Sequence, residues 1–153
     1  MKWLSKDVDM YLGAKEYVDT VIMPVTGVAF DLGVKQSASA NEFITLVAHE
    51  IEKQFKGRLL LLPPFTYYAK WDMEQKKNLM LQWKEMLLKE NFSFVFFLTA
   101  DADWKAIEQD LENSLLYLPP LPLEHLEEKY KISMMEEQVS NILTTISQRW
   151  RDL

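Results

Sequence analysis

The sequence predicts an α/β fold, a three-layer α-β-α sandwich built around a mainly parallel sheet of about four strands. Three observations predict it. Short apolar runs alternate along the chain with longer segments whose apolar residues recur every three or four positions, as strands alternate with amphipathic helices. Two of those runs, "RLLLLPP" and "FSFVFFL", are almost continuously apolar, the pattern of strands covered on both faces. Successive runs are separated by segments long enough to cross over the sheet, which joins strands in parallel.

The chain opens with a short helix, expected from a Ser5 cap to about Tyr17, with Val8, Leu12 and Lys15 on one side. "TVIMPVTG" is the first strand and is expected to stop around Thr26. Pro24 has no N–H for a ladder bond, so it should sit near the strand's end or at a sheet edge. A stretch of small and polar residues leads to Asn41, the expected N-cap of a helix with Phe43, Ile44, Val47, Ile51 and Phe55 on one face and Gly57 as its stop. After the second strand, "RLLLLPP", Asp72 caps a helix to about Asn91 whose main stripe is Met73, Leu79, Met80, Trp83, Met86 and Leu87. "FSFVFFL" is the third strand. "DADWKAIEQDLEN" is the next helix, with acids in its first turn where the helix dipole favours them. "SLLYL" is a fourth strand. The Pro-rich "LPPLPLE" then breaks the chain before a last helix with the stripe Met135, Val139, Ile142, Leu143, Ile146 and Trp150.

With 153 residues the chain is read as one domain, residues 1–153, able to bury roughly 70 % of the surface its unfolded form exposes. Its 48 % hydrophobic and 26 % charged residues match a folded globular protein rather than a disordered one. The formal charge of -6 repels nucleic-acid phosphates and anionic membrane surfaces. No cysteine is present for a disulfide or a thiolate metal site, and the first residues lack the apolar core of a signal peptide. The apolar runs fall far short of the ~20 residues that span a bilayer. These features predict a cytoplasmic protein with no nucleic-acid ligand and no membrane insertion.

The strand "VIMPV" running into a long loop before a helix, followed by "RLLLLPPFTYYA", resembles the creatininase family of metal-dependent amidohydrolases over roughly residues 18–70. In that family the first strand ends Pro-Val-Gly and leads to a Glu-x-His-Gly motif and a later Asp, all serving the metals. The resemblance puts Ala29 where the Glu stands, Asp31 where the His stands and Ala40 or Asn41 near the Asp; alanine cannot ligate a metal. After the second strand, where that family has a Tyr-Gly-x-Ser segment with a His beyond it, Tyr67 and Tyr68 are present but the Gly, the Ser and the His are not, and "LTADADW" has none of the family's Gly-His-Gly loop. The resemblance therefore implies a scaffold without its metal chemistry. Over the whole chain, "LLLLPPFTYY" together with "FFLTADADW" resembles the YpiF-like family of small uncharacterised proteins from spore-forming Firmicutes, a domain of unknown function that brings no activity with it.

Asp101 and Asp103, just beyond the third strand, are the best placed carboxylates. With Asp31 they could hold Mg²⁺ for a metal-assisted hydrolysis at the strand C-termini. The competing reading is that Asp101 caps the following helix and Asp103 favours its dipole. His49 falls on a polar helix face and His125 beside the Pro-rich turn. Two histidines and no cysteine leave any transition-metal site dependent on carboxylates. No dinucleotide or P-loop fingerprint is present, although residues 33–41, with "SASA", could present backbone donors to a small anion or nucleotide. Phe65, Tyr67, Tyr68 and Trp71 form either an aromatic recognition surface or a loop packed on the sheet. Leu81 and Leu88 lie on a second apolar edge of their helix, facing a neighbouring helix or a partner. The balance favours a non-catalytic protein-binding or assembly factor, with a protein partner or a homodimer and no cofactor.

Overall fold

The computed structural model describes residues 1–121, 124 and 126–152. Its axis is β1 (Thr20–Val28), which pairs on one side with β2 (Leu59–Leu61) and β3 (Phe65–Tyr68), and on the other with β4 (Phe94–Thr99). Beyond β4 lies β5 (Leu115–Tyr117), and every pairing is parallel. The sheet has five strands in the order β2-β1-β4-β5, with β3 also on β1.

Alternation along each strand divides the apolar residues between two cores, because successive side chains point to opposite faces. Ile22, Leu59, Leu61, Phe96, Leu98 and Leu116 face one layer, made by α2 (Val34–Gln54) and α4 (Glu128–Arg151). Val21, Met23, Leu60, Val95, Phe97 and Leu115 face the other, which includes α3 (Met73–Lys89). The result is the three-layer sandwich expected from the sequence. The stripes on α2 and α4 pack as anticipated, with Phe43, Ile44, Val47 and Ile51 meeting Val139, Ile142 and Ile146 in one core. No described helix is long and apolar enough to cross a membrane.

Pro24 departs from expectation: it is the fifth residue of the nine-residue central strand and lies opposite Leu98. The Thr20 N–H donates to Arg58 O, while Ile22 O and Val28 O accept from the Leu62 and Ala69 N–H groups. Even-numbered residues of β1 therefore address β2 and β3. The donor that Pro24 lacks would point to the same side, where Pro63 and Pro64 interrupt the neighbouring strand. Thr20 lies opposite Leu59 but Val25 opposite Phe65, so that strand carries one extra residue across the break, in the manner of a bulge. The gap in one ladder accommodates the missing donor in the other.

"FTYY" consequently is a strand and not a loop, which adds a fifth strand to the four expected. α1 (Ser5–Leu12) is shorter than expected. Its N-cap is Leu4, without a side-chain cap bond, it buries no residue, and the chain resumes in a 3₁₀ turn at Lys15–Tyr17. α2 begins seven residues before Asn41; its C-cap is Phe55, and Gly57 takes a left-handed φ of 93° in the turn that follows. The segment after β4 forms 3₁₀ turns, Ala102–Ile107 and Gln109–Leu111, rather than an α-helix. With three residues per turn, Trp104 and Ile107 fall on one side, and both are buried with Leu111.

α3 begins where expected, with the Asp72 carboxylate accepting the Gln75 N–H at 2.9 Å, but its buried face is rotated. Lys76, Met80 and Leu87 are buried, Met73, Leu81 and Trp83 pack beside them, and Met86 is exposed. Lys76 occupies a core position because its ammonium donates to Ala69 O at 2.9 Å and lies 5.0 Å from the Tyr67 ring centroid. At the β2 edge, Leu61 N donates to Met1 O, while the Met1 ammonium donates to Leu59 O at 2.8 Å and lies 3.0 Å from the buried Glu52 carboxylate. The first residues thus cover unpaired strand groups.

Leu81 and Leu88 separate in consequence. Leu81→Lys places an ammonium against a packed core and lowers the unfolding free energy by roughly 1–3 kcal/mol, whereas Leu88→Lys changes it by no more than about 0.5 kcal/mol. Urea denaturation of the two single variants checks the difference.

Candidate functional site

The C-terminal ends of β1, β3 and β4 surround a cleft of about 240 Å³, lined in part by Gly27, Ser37, Asn41, Tyr67, Thr99 and Asp101. Its geometry starts from Gly27, which lies opposite Tyr67 in the β1–β3 register. A Cβ on Gly27 would come 2.8 Å from the Tyr67 Oη, so the absence of a side chain lets the phenol lie across the strand. Tyr67 is buried, its ring meets Trp104 edge-on at 5.2 Å, and its hydroxyl donates to Asp101 Oδ2 at 2.5 Å. Burial first, and the hydrogen bond to Asp101 second, push the Tyr67 phenol well above its ordinary pKa.

Asp101 is occupied on both oxygens. Oδ1 accepts the Asp103 N–H at 3.0 Å, which closes the turn entering the first 3₁₀ segment, while the Asp101 N–H donates to Thr99 Oγ1 at 3.0 Å. Asp103 lends its backbone to this arrangement and exposes its side chain. Asp31 sits on the β1–α2 connection, where its Oδ1 accepts the Gly33 N–H at 2.8 Å and its Oδ2 lies 3.7 Å from Lys70 Nζ. The Gly33 N–H, with the Lys70 ammonium behind it, holds the Asp31 carboxyl below the usual carboxylate range. Asp31, Asp101 and Asp103 share one edge of the sheet, yet among the described residues no group of three His, Cys, Asp or Glu is placed to hold a metal ion. The capping alternative describes Asp101 as it stands. His49 is exposed on α2, and His125 lies outside the described residues.

Residues 34–40, expected as part of an anion-binding loop, are the first two turns of α2, and Gly33 is its N-cap. The Ser37 N–H is already bonded to Gly33 O at 3.0 Å, so "SASA" lies within the helix rather than in an open cradle. Asn41, expected as the N-cap, is interior to α2 and donates from Nδ2 to Gly27 O at 3.0 Å, tying the helix to the end of β1.

At the same edge of the sheet, the segments that follow β1 and end β3 carry exposed apolar residues that form a rim. Leu32 is 99 % exposed and Phe30 78 %, both on the β1–α2 connection, with Val34 exposed at the start of α2. Tyr68 and Trp71, each 37 % exposed, lie at and beyond the end of the adjoining β3. The Asp31–Lys70 pair brings these two segments together. Of the aromatic group expected as a recognition surface, Tyr67 is core, Phe65 is partly buried against the same core, and Tyr68 and Trp71 remain accessible. Phe30 and Leu32 fall in the stretch between Thr26 and Asn41 read from the sequence as small and polar, and that reading passes over them. Their signal was present as large apolar residues at alternate positions, 30, 32 and 34, outside any strand.

Gly27→Ala forces the Tyr67 ring aside and destabilises the fold by about 1–3 kcal/mol, measurable by thermal or urea unfolding. Tyr67→Phe keeps the ring and loses the bond to a carboxylate, a loss of about 1.5–3 kcal/mol. Because folding raises the phenol's pKa, the contribution of the neutral hydroxyl is complete below pH about 10 and declines as pH rises above it. Stability at alkaline pH should therefore fall more steeply in the wild-type chain than in Tyr67→Phe. An ultraviolet titration of phenolate absorbance should lose its highest-pH step in the variant.

The chain matches the model of a protein family of unknown function, DUF2487, over residues 9–150. It is similar to the uncharacterized protein YpiF of Bacillus subtilis (strain 168), with 34 % identity over 155 residues that cover 100 % of both chains. No solved structure matches it. The family match spans almost the whole α/β domain, from α1 into the end of α4, and the chain belongs to the DUF2487 family.

Proposed function

We propose that the chain is a non-catalytic protein-binding or assembly domain that works in the cytoplasm through the apolar rim at the C-terminal edge of its sheet. The observation that carries the reading is the exposure of Phe30 and Leu32 beside Tyr68 and Trp71. Fully burying one such side chain is worth about 1.5–3 kcal/mol, and neighbouring apolar groups on one surface commonly mark association. Aromatic groups are also enriched at protein interfaces. Of the carboxylates that would have to act in a hydrolase, Asp101 is engaged in capping and in the Tyr67 bond and Asp31 in the turn before α2, which supports binding over chemistry. A degenerate creatininase-like scaffold fits Ala29 at the end of β1, where that family carries a ligating Glu. The formal charge of -6 supports a protein rather than a nucleic-acid partner.

The test is the double variant Phe30→Ser/Leu32→Ser. Both residues are exposed, so unfolding free energy should change by no more than about 1 kcal/mol. Sedimentation velocity reads self-association, and affinity capture from cells that naturally produce the protein reads a heterologous partner. The reading requires that either the self-associated species or a captured protein be lost in the variant. If the variant retains the solution mass and the captured proteins of the wild-type chain, the reading is wrong.

A further inference from the structure

A second surface lies away from the rim. On α2, Glu42, Leu46, Glu50 and Gln54 recur every four residues and form a row along the helix; α4 faces it with a row that includes Glu128, Ile132, Met135, Glu136, Val139 and Leu143. Between the rows is a groove of about 830 Å³, far larger than the 240 Å³ cleft at the sheet edge. At 1.5 Å per residue the α2 row is roughly 18 Å long, or about three turns of a helix laid into it. Its floor is apolar, with Met135, Val139 and Leu143 packed on the core, while Leu46, 49 % exposed, and Ile132, 57 % exposed, alternate with glutamates along the two rows. Its walls are acidic. Glu42, Glu50, Glu128 and Glu136 stand there with Lys131, held 3.3 Å from Glu128, and with Lys53, held 3.0 Å from Glu50, so among the described residues the walls and their ion-pair partners are negative by two charges.

We infer that this groove docks a basic amphipathic helix of a partner protein. An apolar floor takes the hydrophobic stripe of such a helix, and acidic walls take the lysines or arginines flanking that stripe. Methionine in the floor adapts its shape to the incoming side chains. Charge argues against a second copy as the occupant. Two grooves brought face to face would oppose glutamate to glutamate, and α1, a helix with no buried residue and with Met10 and Leu12 exposed, sets Asp7 and Asp9 against Lys6. Anionic lipid is repelled by the same walls.

The probe is a fluorescein-labelled synthetic peptide about 18 residues long, with leucines on one helical face and lysines on the other, alongside a counterpart with glutamates for lysines. Fluorescence anisotropy with the full chain should show saturable binding of the lysine peptide that weakens with added salt, and none of the glutamate peptide. Glu50→Lys/Glu136→Lys and Ile132→Ser should each weaken binding by about tenfold or more, with the folded state of each confirmed by urea denaturation. Failure of the lysine peptide to bind, equal binding of the glutamate peptide, or full binding by either groove variant overturns the inference. Phe30→Ser/Leu32→Ser should bind the lysine peptide like the wild-type chain. If that variant loses it while the groove variants keep it, the peptide sits on the rim and the groove assignment is wrong, so the two surfaces stand or fall separately.

Discussion

The fold depends on the double pairing of β1. Nine residues, Thr20–Val28, hold β2 and β3 on one side and β4 on the other, and only β5 is attached without touching them. A strand so placed should offer an N–H at every position, and Pro24 does not. The deficit is tolerated because it falls on the side where Pro63 and Pro64 have already opened the adjacent strand. That opening has a further effect, since the extra residue it introduces sets Tyr67 opposite Gly27, the one place on β1 where a phenol can lie across the backbone. The break at Pro63 and Pro64, between β2 and β3, thus sets the position of the aromatic group at the C-terminal end of the sheet.

Closure by Tyr67 also bears on chemistry at that end. In an open α/β sheet the C-terminal edge is where ligands gather, and three carboxylates of this chain are found there. A carboxylate that acts as base or metal ligand needs free lone pairs directed at a common point. Asp101 spends one oxygen on the Tyr67 hydroxyl and the other on the Asp103 N–H, and Asp31 holds the turn into α2. The polar groups at the edge are used to fix the loops, and the groups they fix in place are apolar. The surface that results sets exposed apolar side chains beside two carboxylates, Asp31 and Asp101, that are held in turns.

How much of this was legible in the sequence follows from which signals are local. The strands "VIMPV" and "FSFVFFL" and the stripes of α2 and α4 were readable because burial on a sheet face or a helix face leaves a fixed period. β3 was not readable as a strand. "FTYY" follows two prolines, and only the partner strand's own proline makes pairing after such a break consistent. Lys76 hid the true face of α3 because a lysine in a core position looks like a break in the stripe, although its stem packs and its ammonium finds Ala69 O. Asn41 is a good N-cap by type, but its amide serves Gly27 O instead, and the helix begins earlier at Gly33. The carboxylates were placed correctly at the sheet edge, whereas their partners, a tyrosine from β3 and a lysine after it, are long-range and leave no spacing signal. The rim residues Phe30 and Leu32 left a local signal, since apolar alternation without a strand to use it means exposure.

α2 links the two exposed surfaces and shows how they coexist with a complete core. Its buried residues Phe43, Ile44, Val47, Ala48 and Ile51 face the sheet, while Glu42, Leu46 and Glu50 turn toward α4 and solvent. Its first turn carries Val34 at the rim. One helix can serve both because a helix needs only part of its circumference to hold it to a sheet, and the remainder is free to vary. Leu46 is therefore not a residue the core failed to cover: removing it would leave the stripe on the sheet intact. The same holds for Leu32, which contacts neither core and is almost wholly exposed. Neither group is needed by the core, and the two surfaces differ in chemistry. The rim is aromatic and aliphatic around a single Asp–Lys pair, whereas the groove is walled by glutamates. Because the two surfaces draw on separate parts of one helix and differ in charge, a partner on one, as proposed above, would leave the other open.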